Sequence, residues 1–557
     1  MKTDDLWIQQ ADGWWLRDFT KLPDTRGMNT RALRGYWQTA AYETKEFRGV
    51  LLLSNPSQAA PDLRIPLPVT GRFAIAIGMV VNYSDKVLIK LERDRCWRKL
   101  AHTPTPPATQ TIEECWWRDV DLVKGDVLLL RQDDAMKRRA GIGFVRLYPA
   151  TAPTKPEIPL LITADGFPGN MGPIPLDDML EEELQFDDTH VTDILHGTDI
   201  NGSAQYMTKL PAHRYPVERA AEEEMTSHEY YPWVVDQMRK FEREGRCPLR
   251  DSVEAAHSIG RKLYAYYRMA ITRLYAPYRG LFFNDFYDEH PEWRCVDFDG
   301  TPITRLSIAY PEVRQYFLEH FRETVEFGAD GVCLVFNRGW PLILFEEPVA
   351  QEFKRKTGKD MHSVSQDDPA LRQVRAEFVN SFMRDIRRTV TEAGGRRETK
   401  IVALTLAQPS INKHFAMDCD TWAKEGLVDV LCPYPYGMTA VPTLINAPDW
   451  VPVVRGTNTK LCPILNRMTY EPAGIFETPK AMLDRAEQWL KDGVDGFSFW
   501  DLDGYIAQPA FRRFAYNLGS KEGRARLRQF VEAGPIYHNL KMVDGLVVDR
   551  YHPGWNV

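Results

Sequence analysis

Cysteine is sparse in this chain, eight residues in 557, at positions 96, 115, 247, 295, 333, 419, 432 and 462. No CxxC pair or other ligand spacing occurs among them, which argues against a disulfide framework and against a structural metal. Cys333, Cys432 and Cys462 fall inside apolar runs, where a reduced thiol packs as a small hydrophobe. Long hydrophobic stretches are missing too: nowhere do about 18 apolar residues run together, so no membrane-spanning helix is expected. Charge of one sign is not concentrated anywhere. A net charge of −7 is spread over 70 basic and 77 acidic residues, without a basic block or an acidic tail, so neither nucleic acid nor an anionic membrane is an expected partner. GxGxxG and GxxxxGK[ST] are both absent, which removes the usual dinucleotide and nucleotide cradles. No cofactor is expected. The first ten residues, MKTDDLWIQQ, carry acids where a secretory leader has a basic head, so a cytoplasmic location is expected.

Aromatic side chains are abundant instead, at 11% of the chain with 15 Trp and 23 Tyr. Sugar rings stack their C–H faces on such side chains, which points to carbohydrate, although large barrels also pack many aromatics for their own sake. A length of 557 residues exceeds what one hydrophobic core serves, so more than one domain is expected. An assembly of identical copies is compatible with the sequence.

Residues 1–152 alternate short strand-like runs such as RFAIAIGMVV, KVLIKLE and GDVLLLRQ with turn residues. This predicts an all-β sandwich of jelly-roll type. It is read as an edge-covering module, with Trp97, Trp116 and Trp117 as the alternative glycan contacts. The proline-bearing segment TAPTKPEIP (151–159) forms a linker. Residues 153–520 then repeat one pattern eight times: an apolar, β-branched run, a polar or aromatic cluster, and helical sequence. The runs are PLLIT (159–163), VTDIL (191–195), KLYAYY (262–267), GVCLVF (331–336), KIVALTL (400–406), VDVLC (428–432), KLCPIL (460–465) and DGFSFW (495–500). The predicted fold class is therefore α/β, a (β/α)8 TIM barrel preceded by the sandwich, with 521–557 as a tail packed on the body. PLDDMLEEELQF (175–186) reads as the first barrel helix. PEVRQYFLEHFRETVE (311–326) has proline at its first position and places Val313, Phe317, Phe321 and Val325 on one stripe. The connections 164–222, 268–304 and 337–368 are unusually long and are expected to roof the active face.

Several motifs point further. EAAHSIGRKLYAYYRM (254–269), HPEW (290–293), DFDG (297–300), LSIAYPEVRQYF (306–317), GADGVCLVFNRG (328–339) and GFSFWDLDG (496–504) together resemble the bacterial glycosyl-hydrolase-like barrel proteins. The closing RYHPGW (550–555) is similar to a tail seen in some of them. The resemblance implies hydrolysis of a sugar linkage without fixing the substrate or the catalytic residues. One departure stands out. Relatives often carry L-D-F-x-R on the fourth strand, where this chain has Leu334-Val335-Phe336-Asn337-Arg338, so the strand-four aspartate is absent.

Glycoside hydrolysis generally uses two carboxyl groups, one to protonate the leaving oxygen and one ionised as nucleophile or base. The next acids after strand four, Glu346 and Glu347, lie in WPLILFEEPV (340–349), similar to an aromatic-Glu-x-Pro segment of the relatives. Glu346 among apolar neighbours suits the general acid, because such surroundings raise a carboxyl pKa; capping of the helix near Pro348 is the competing reading. Asp501, directly after Trp500 at a strand end, suits the ionised partner, with Asp285 as a further catalytic candidate. A turn or cap role competes for Asp501 and Asp503. Substrate contacts are expected from Asp165, Arg268, Asn337, Arg338, Trp340, Tyr434, Arg467, Trp500 and Asp503. Asn466 and Arg467 are alternatively a supporting network, and His257 reads as structural. Two other functions remain open: a barrel that binds carbohydrate without turnover, and a metal-dependent sugar lyase or isomerase built on Asp285, Asp288, Glu289 and His290.

Overall fold

The computed structural model describes residues 5–27, 34–54, 59–81, 83–84, 86–104, 110–132, 139–164, 179–218, 231–273, 284–434, 445–466 and 478–543, without the side chains of 200, 231–234 and 503. Two compact units emerge, one comprising 1–155, 177–190 and 503–557 and the other 156–176 and 191–502.

The second unit is built on eight parallel strands: β1 (Leu160–Ala164), β2 (Asp193–Gly197), β3 (Lys262–Arg268), β4 (Gly331–Val335), β5 (Lys400–Leu406), β6 (Val430–Tyr434), β7 (Lys460–Leu461) and β8 (Phe497–Phe499). Each coincides with one of the eight runs read from the sequence. Spatial order is 7-6-5-4-3-2-1-8. The ring closes where Ile464 bridges Ser498 in parallel and Leu465 N–H donates to Ser498 O at 2.9 Å. Alternate residues point inward and form one cluster, including Leu161, Leu195, Tyr264, Tyr266, Cys333, Val335, Val402, Leu404, Cys432 and Tyr434. Apolar runs without alternation are what such strands require, since inner core and outer helices bury both faces. The thiols of Cys333, Cys432 and Cys462 are fully buried in this cluster. Burial pushes the Cys432 thiol up to about 12, the behaviour of a packing residue rather than a nucleophile.

Helices follow the same logic. Helix α1 (Pro248–Ser258) precedes β3, α2 (Asp285–Glu289) is a single short turn, and α3 (Pro311–Glu326) leads into β4. In α3 the stripe Val313, Phe317, Phe321 and Val325 is 0–1% exposed, as its spacing predicts. Helix α4 (Glu347–Thr357) and α5 (Pro369–Gly394) follow, with Asp368 capping α5 through Ala370 N–H at 2.8 Å. Helix α6 (Pro479–Asp492) is capped by Thr478 and ends at Gly493 in the left-handed region.

The amino-terminal rim carries a repeated latch. Asp330 accepts the Leu263 N–H at 2.9 Å, Asp429 the Ile401 N–H at 2.7 Å and Asp495 the Leu461 N–H at 2.9 Å, each aspartate tying one strand start to its neighbour. A cation completes each latch: Lys262 on Asp330, Arg387 on Asp429 and Lys460 on Asp495. Gly331, next to Asp330, has φ +146°, and a Cβ there would lie 1.9 Å from Lys400 O, so only glycine lets β4 start this close to β5. His257 donates to Asp330 at 2.7 Å, consistent with a structural role on this stability-bearing face.

Burial pushes Asp330 up, but hydrogen bonds from His257, the Leu263 N–H and Lys262 outweigh it and hold the carboxyl below its ordinary range. A depressed folded pKa means the stabilisation is present above the ordinary carboxylate value and is lost as pH falls through the depressed one. Asp330→Ala is expected to cost about 1–3 kcal/mol by orphaning the buried Leu263 N–H. Denaturant titration should also find the variant's acid sensitivity below pH ~4 reduced; an unchanged midpoint would remove the latch from the account.

The first unit contains, among the described residues, a ten-stranded and a four-stranded sheet. Strand Lys86–Leu91 buries Val87, Ile89 and Leu91 and turns the intervening residues outward. These residues share one apolar cluster with Ile75, Ile77, Met79, Trp117, Ile142 and Val145 of the larger sheet. The unit extends beyond the expected boundary at 152. The segment 175–186 was expected to be the first barrel helix, but its described residues, from 179 on, belong to this unit, with helix only over Glu181–Leu184. Arg98 and Arg118 pair with Asp188 at 2.7 and 3.1 Å, and these ion pairs are not visible in helical periodicity. Helices α7 (Pro509–Asn517) and α8 (Lys521–Ala533) and the strands Tyr537–Asn539 and Lys541–Met542 also belong here. Both of those strands join the ten-stranded sheet, pairing with 111–113 and 42–43, so the expected tail is partly sheet.

Candidate functional site

At the carboxyl ends of the barrel strands the inward alternation continues into aromatic and polar side chains. Trp500, one residue past β8, is fully buried and packs against Tyr434 at the end of β6 (ring centroids 4.7 Å apart) and Tyr266 of β3 (6.0 Å). The Arg338 guanidinium lies 4.7 Å from the Trp500 ring. Asn466 clamps the Trp500 backbone, accepting its N–H and donating to its carbonyl, both at 2.8 Å. That is the supporting role considered for Asn466. The Trp500 Nε1 is buried without a hydrogen-bond partner among the described residues.

Asp501 follows with φ +49°, a left-handed conformation that Asp tolerates better than most residues. Its N–H donates to Thr163 Oγ1 at 2.8 Å, and the Thr163 hydroxyl donates back to Oδ1 at 3.4 Å, fixing the residue across the β8–β1 junction. Asp501 is only partly buried.

Asn337, in the short turn after β4, is fully buried, and both amide atoms lack hydrogen-bond partners among the described residues. A buried primary amide with nothing to bond is costly, about 1–3 kcal/mol per orphaned group, unless water or a ligand supplies the partners. Arg268 ends β3 at 9% exposure, and its N–H donates to Asp199 Oδ1 at 2.8 Å. Trp340 is partly exposed, with its ring 4.5 Å from Phe415.

Glu346 differs from these. It is fully buried, and its carboxylate accepts the Leu344 N–H at 2.9 and 3.1 Å and the Val296 N–H at 3.2 Å. Burial raises its pKa, as the apolar neighbours imply, while backbone N–H groups and Cys295 work against the rise. Its side chain does not cap α4, although the residue occupies that helix's N-cap position. The geometry is that of a brace between the 342–346 segment and the hairpin strand Arg294–Val296. Its oxygens are taken up by these N–H groups, whereas the equally buried Asn337 amide and Trp500 indole have no partner among the described residues, so the general-acid expectation for Glu346 gives way to a positioning one.

Asp285 is exposed in the first turn of α2, which Asn284 caps through the Tyr287 N–H at 3.1 Å. Asp288 and His290 of that loop have alternative engagements: Arg273 pairs with Asp288, and His290 stacks on Trp293 with centroids 3.8 Å apart while contacting Glu292. Asp165, Arg467, the side chain of Asp503 and the 550–555 segment lie outside the described residues.

Tyr266, Thr163 and Asp199 were not singled out from the sequence. Strict alternation along KLYAYYR sets Tyr264, Tyr266 and Arg268 on one face, a signal sufficient to find Tyr266. Nothing local marks Thr163 as the partner of a residue 338 positions away.

Neither a protein-family profile nor a curated relative matches the sequence. Among solved structures, the chain is similar to the PgaB (BpsB) glycoside hydrolase domain from Bordetella bronchiseptica, at 12% identity and TM-score 0.42 over 66% of this chain and 99% of that one. It is similar to an alpha-galactosidase from Thermus thermophilus at 11% identity and TM-score 0.36, over 94% of both chains. A beta-galactosidase from the psychrophilic Marinomonas ef1 matches at 10% identity and TM-score 0.43 over 67% of this chain, which spans 59% of that protein. These neighbours are glycoside hydrolases. With every TM-score below 0.5, the barrel description rests on the strand order and register of this chain.

Proposed function

We propose that the barrel takes a carbohydrate at the carboxyl ends of its strands and hydrolyses a glycosidic bond. The observation that carries the reading is the pairing of unmet polar capacity with aromatic surface: among the described residues, neither amide atom of the buried Asn337 nor the indole N–H of Trp500, beside Tyr434 and Tyr266, has a hydrogen-bond partner. A ring with apolar faces and hydroxyl edges matches both features at once. Asp501 is the ionised carboxylate in this proposal, and Asp285, exposed on the connection after β3, supplies the proton. Arg268, Arg338, Trp340 and Tyr434 contact substrate, with Asp165 and Arg467 retained as further contacts. Glu346 positions the roof. The sheets of the first unit are read as an accessory β-sandwich.

A screen of chromogenic glycosides and polysaccharides with wild type, Asp501→Asn and Asp285→Asn tests this directly. Turnover that both variants retain at the wild-type rate would discard the carboxylate pair. A second reading, carbohydrate binding without turnover, is favoured by Val335 on β4 and the enclosed carboxylate of Glu346. In that case oligosaccharide binding measured by calorimetry weakens in Asn337→Ala by roughly tenfold, the effect of one or two lost hydrogen bonds, while no substrate is cleaved.

A further inference from the structure

The first unit holds a cavity of about 460 Å³ lined by residues of the ten-stranded sheet, of the 150–154 and 188–190 segments, and of α7 and α8. Its walls include Trp116, Tyr148, Tyr516 and Phe530, and Arg513 is the group that gives it chemistry. The Arg513 guanidinium lies 4.1 Å from the Trp116 ring centroid and 4.9 Å from that of Phe530. Its Nε is buried without a hydrogen-bond partner among the described residues. Burial lowers the Arg513 pKa, with Tyr148 and Asp119 acting in the opposite direction.

The other charges around the cavity are accounted for. Arg72 pairs with Asp121 at 2.9 Å, and Arg526 pairs with Glu522. Asp188 is shared by Arg98, Arg118 and the Tyr516 hydroxyl, the last at 2.6 Å. Asp119 Oδ1 accepts the Trp116 indole N–H at 2.8 Å. Among the described residues no carboxylate stands within ion-pair distance of Arg513. The guanidinium donates a hydrogen bond to the Tyr148 hydroxyl and contacts two aromatic faces, which offsets only part of the cost of removing the charge from water; an anion presented in its plane would supply the rest.

We propose that this cavity is a binding site for a small ring-bearing carboxylate of the sugar-acid type, held by Arg513. One planar fork matches one carboxylate through two parallel N–H···O bonds. A phosphate dianion calls for more unpaired positive charge than is present, because Arg72 and Arg526 are already engaged. The aromatic walls suit a pyranose ring, and the volume lies in the range of small-ligand sites. The site lies entirely within the first unit, so it is independent of the hydrolytic reading of the barrel.

The test is calorimetric titration of the full-length protein with galacturonate, galactose and inorganic phosphate, each to about 10 mM. Galacturonate is expected to bind saturably, with galactose and phosphate at least roughly tenfold weaker, the loss that follows removal of one charge-assisted hydrogen-bond pair. Arg513→Gln should abolish galacturonate binding. Arg513→Lys, which keeps the charge and the aliphatic stem, should weaken it by about tenfold because the fork is lost. Asp501→Asn should leave the affinity unchanged. Absence of galacturonate binding to wild type, equal binding of galactose or phosphate, full retention in folded Arg513→Lys, or loss in Asp501→Asn would each overturn the proposal.

Discussion

Asp501→Asn is expected to lower kcat on a cleaved glycoside by roughly 10²- to 10⁴-fold, the usual weight of a positioned acid or base, with little change in KM or thermal stability. The split follows from the geometry. The residue sits in the left-handed region at φ +49°, which asparagine also accepts, so the amide introduces no backbone strain. Its N–H bond to Thr163 comes from the backbone and survives the change. Only the charge is removed. Asp501→Ala, by contrast, should also lower the melting temperature, because alanine pays about 1 kcal/mol for that conformation. Thr163→Val should reproduce part of the kinetic loss by releasing the carboxylate from its hydroxyl donor. If Asp501→Asn and wild type have the same kcat on the same substrate, the ionised-carboxylate role belongs to another residue.

The second large effect concerns stability. Glu346→Ala removes the acceptor for the Leu344 and Val296 N–H groups at a fully buried position. Each orphaned group costs about 1–3 kcal/mol, so the variant is expected to lose about 2–5 kcal/mol and, at 37 °C, to be partly unfolded or aggregated. The pH dependence gives an independent check. Burial raises the folded pKa of Glu346 above its ordinary value of 4.5, so its contribution to stability is fully present below that value and declines as pH rises through the folded pKa. Glu346→Gln mimics the protonated acid. The melting temperature of this variant should therefore vary less with pH across the interval in which wild type weakens. A catalytic Glu346 would give the opposite signature: a folded, stable Glu346→Gln protein with its kcat collapsed.

These two residues also illustrate what local sequence can reveal. Asp501 was legible because a strand-ending Phe-Trp-Asp run places a carboxylate where barrels keep their chemistry. Glu346 looked equally favourable: its apolar neighbours correctly indicated a raised pKa. What they could not indicate was direction. The same burial that raises the pKa encloses the carboxylate under the Arg294–Val296 strand, 50 residues earlier in the chain. The helix Pro311–Glu326 was legible to the residue because its proline and its stripe are local properties. The 175–186 segment was not: helix forms only over Glu181–Leu184, and Glu181 pairs with Lys99, a distant partner that no local period indicates.

By itself the sequence determined the eight barrel strands, their order along the chain, the packing role of the barrel cysteines and the aromatic and polar set at the strand ends. Each of these depends on the composition and period of a short segment. Only the tertiary structure decided which strands meet to close the ring, that the chain's last described strands join the ten-stranded sheet, that Glu346 is enclosed, and that Arg513 stands at a cavity with no carboxylate partner among the described residues. Periodicity specifies that a face must be buried; which distant segment buries it is set by packing and by charge pairing between residues far apart in the chain.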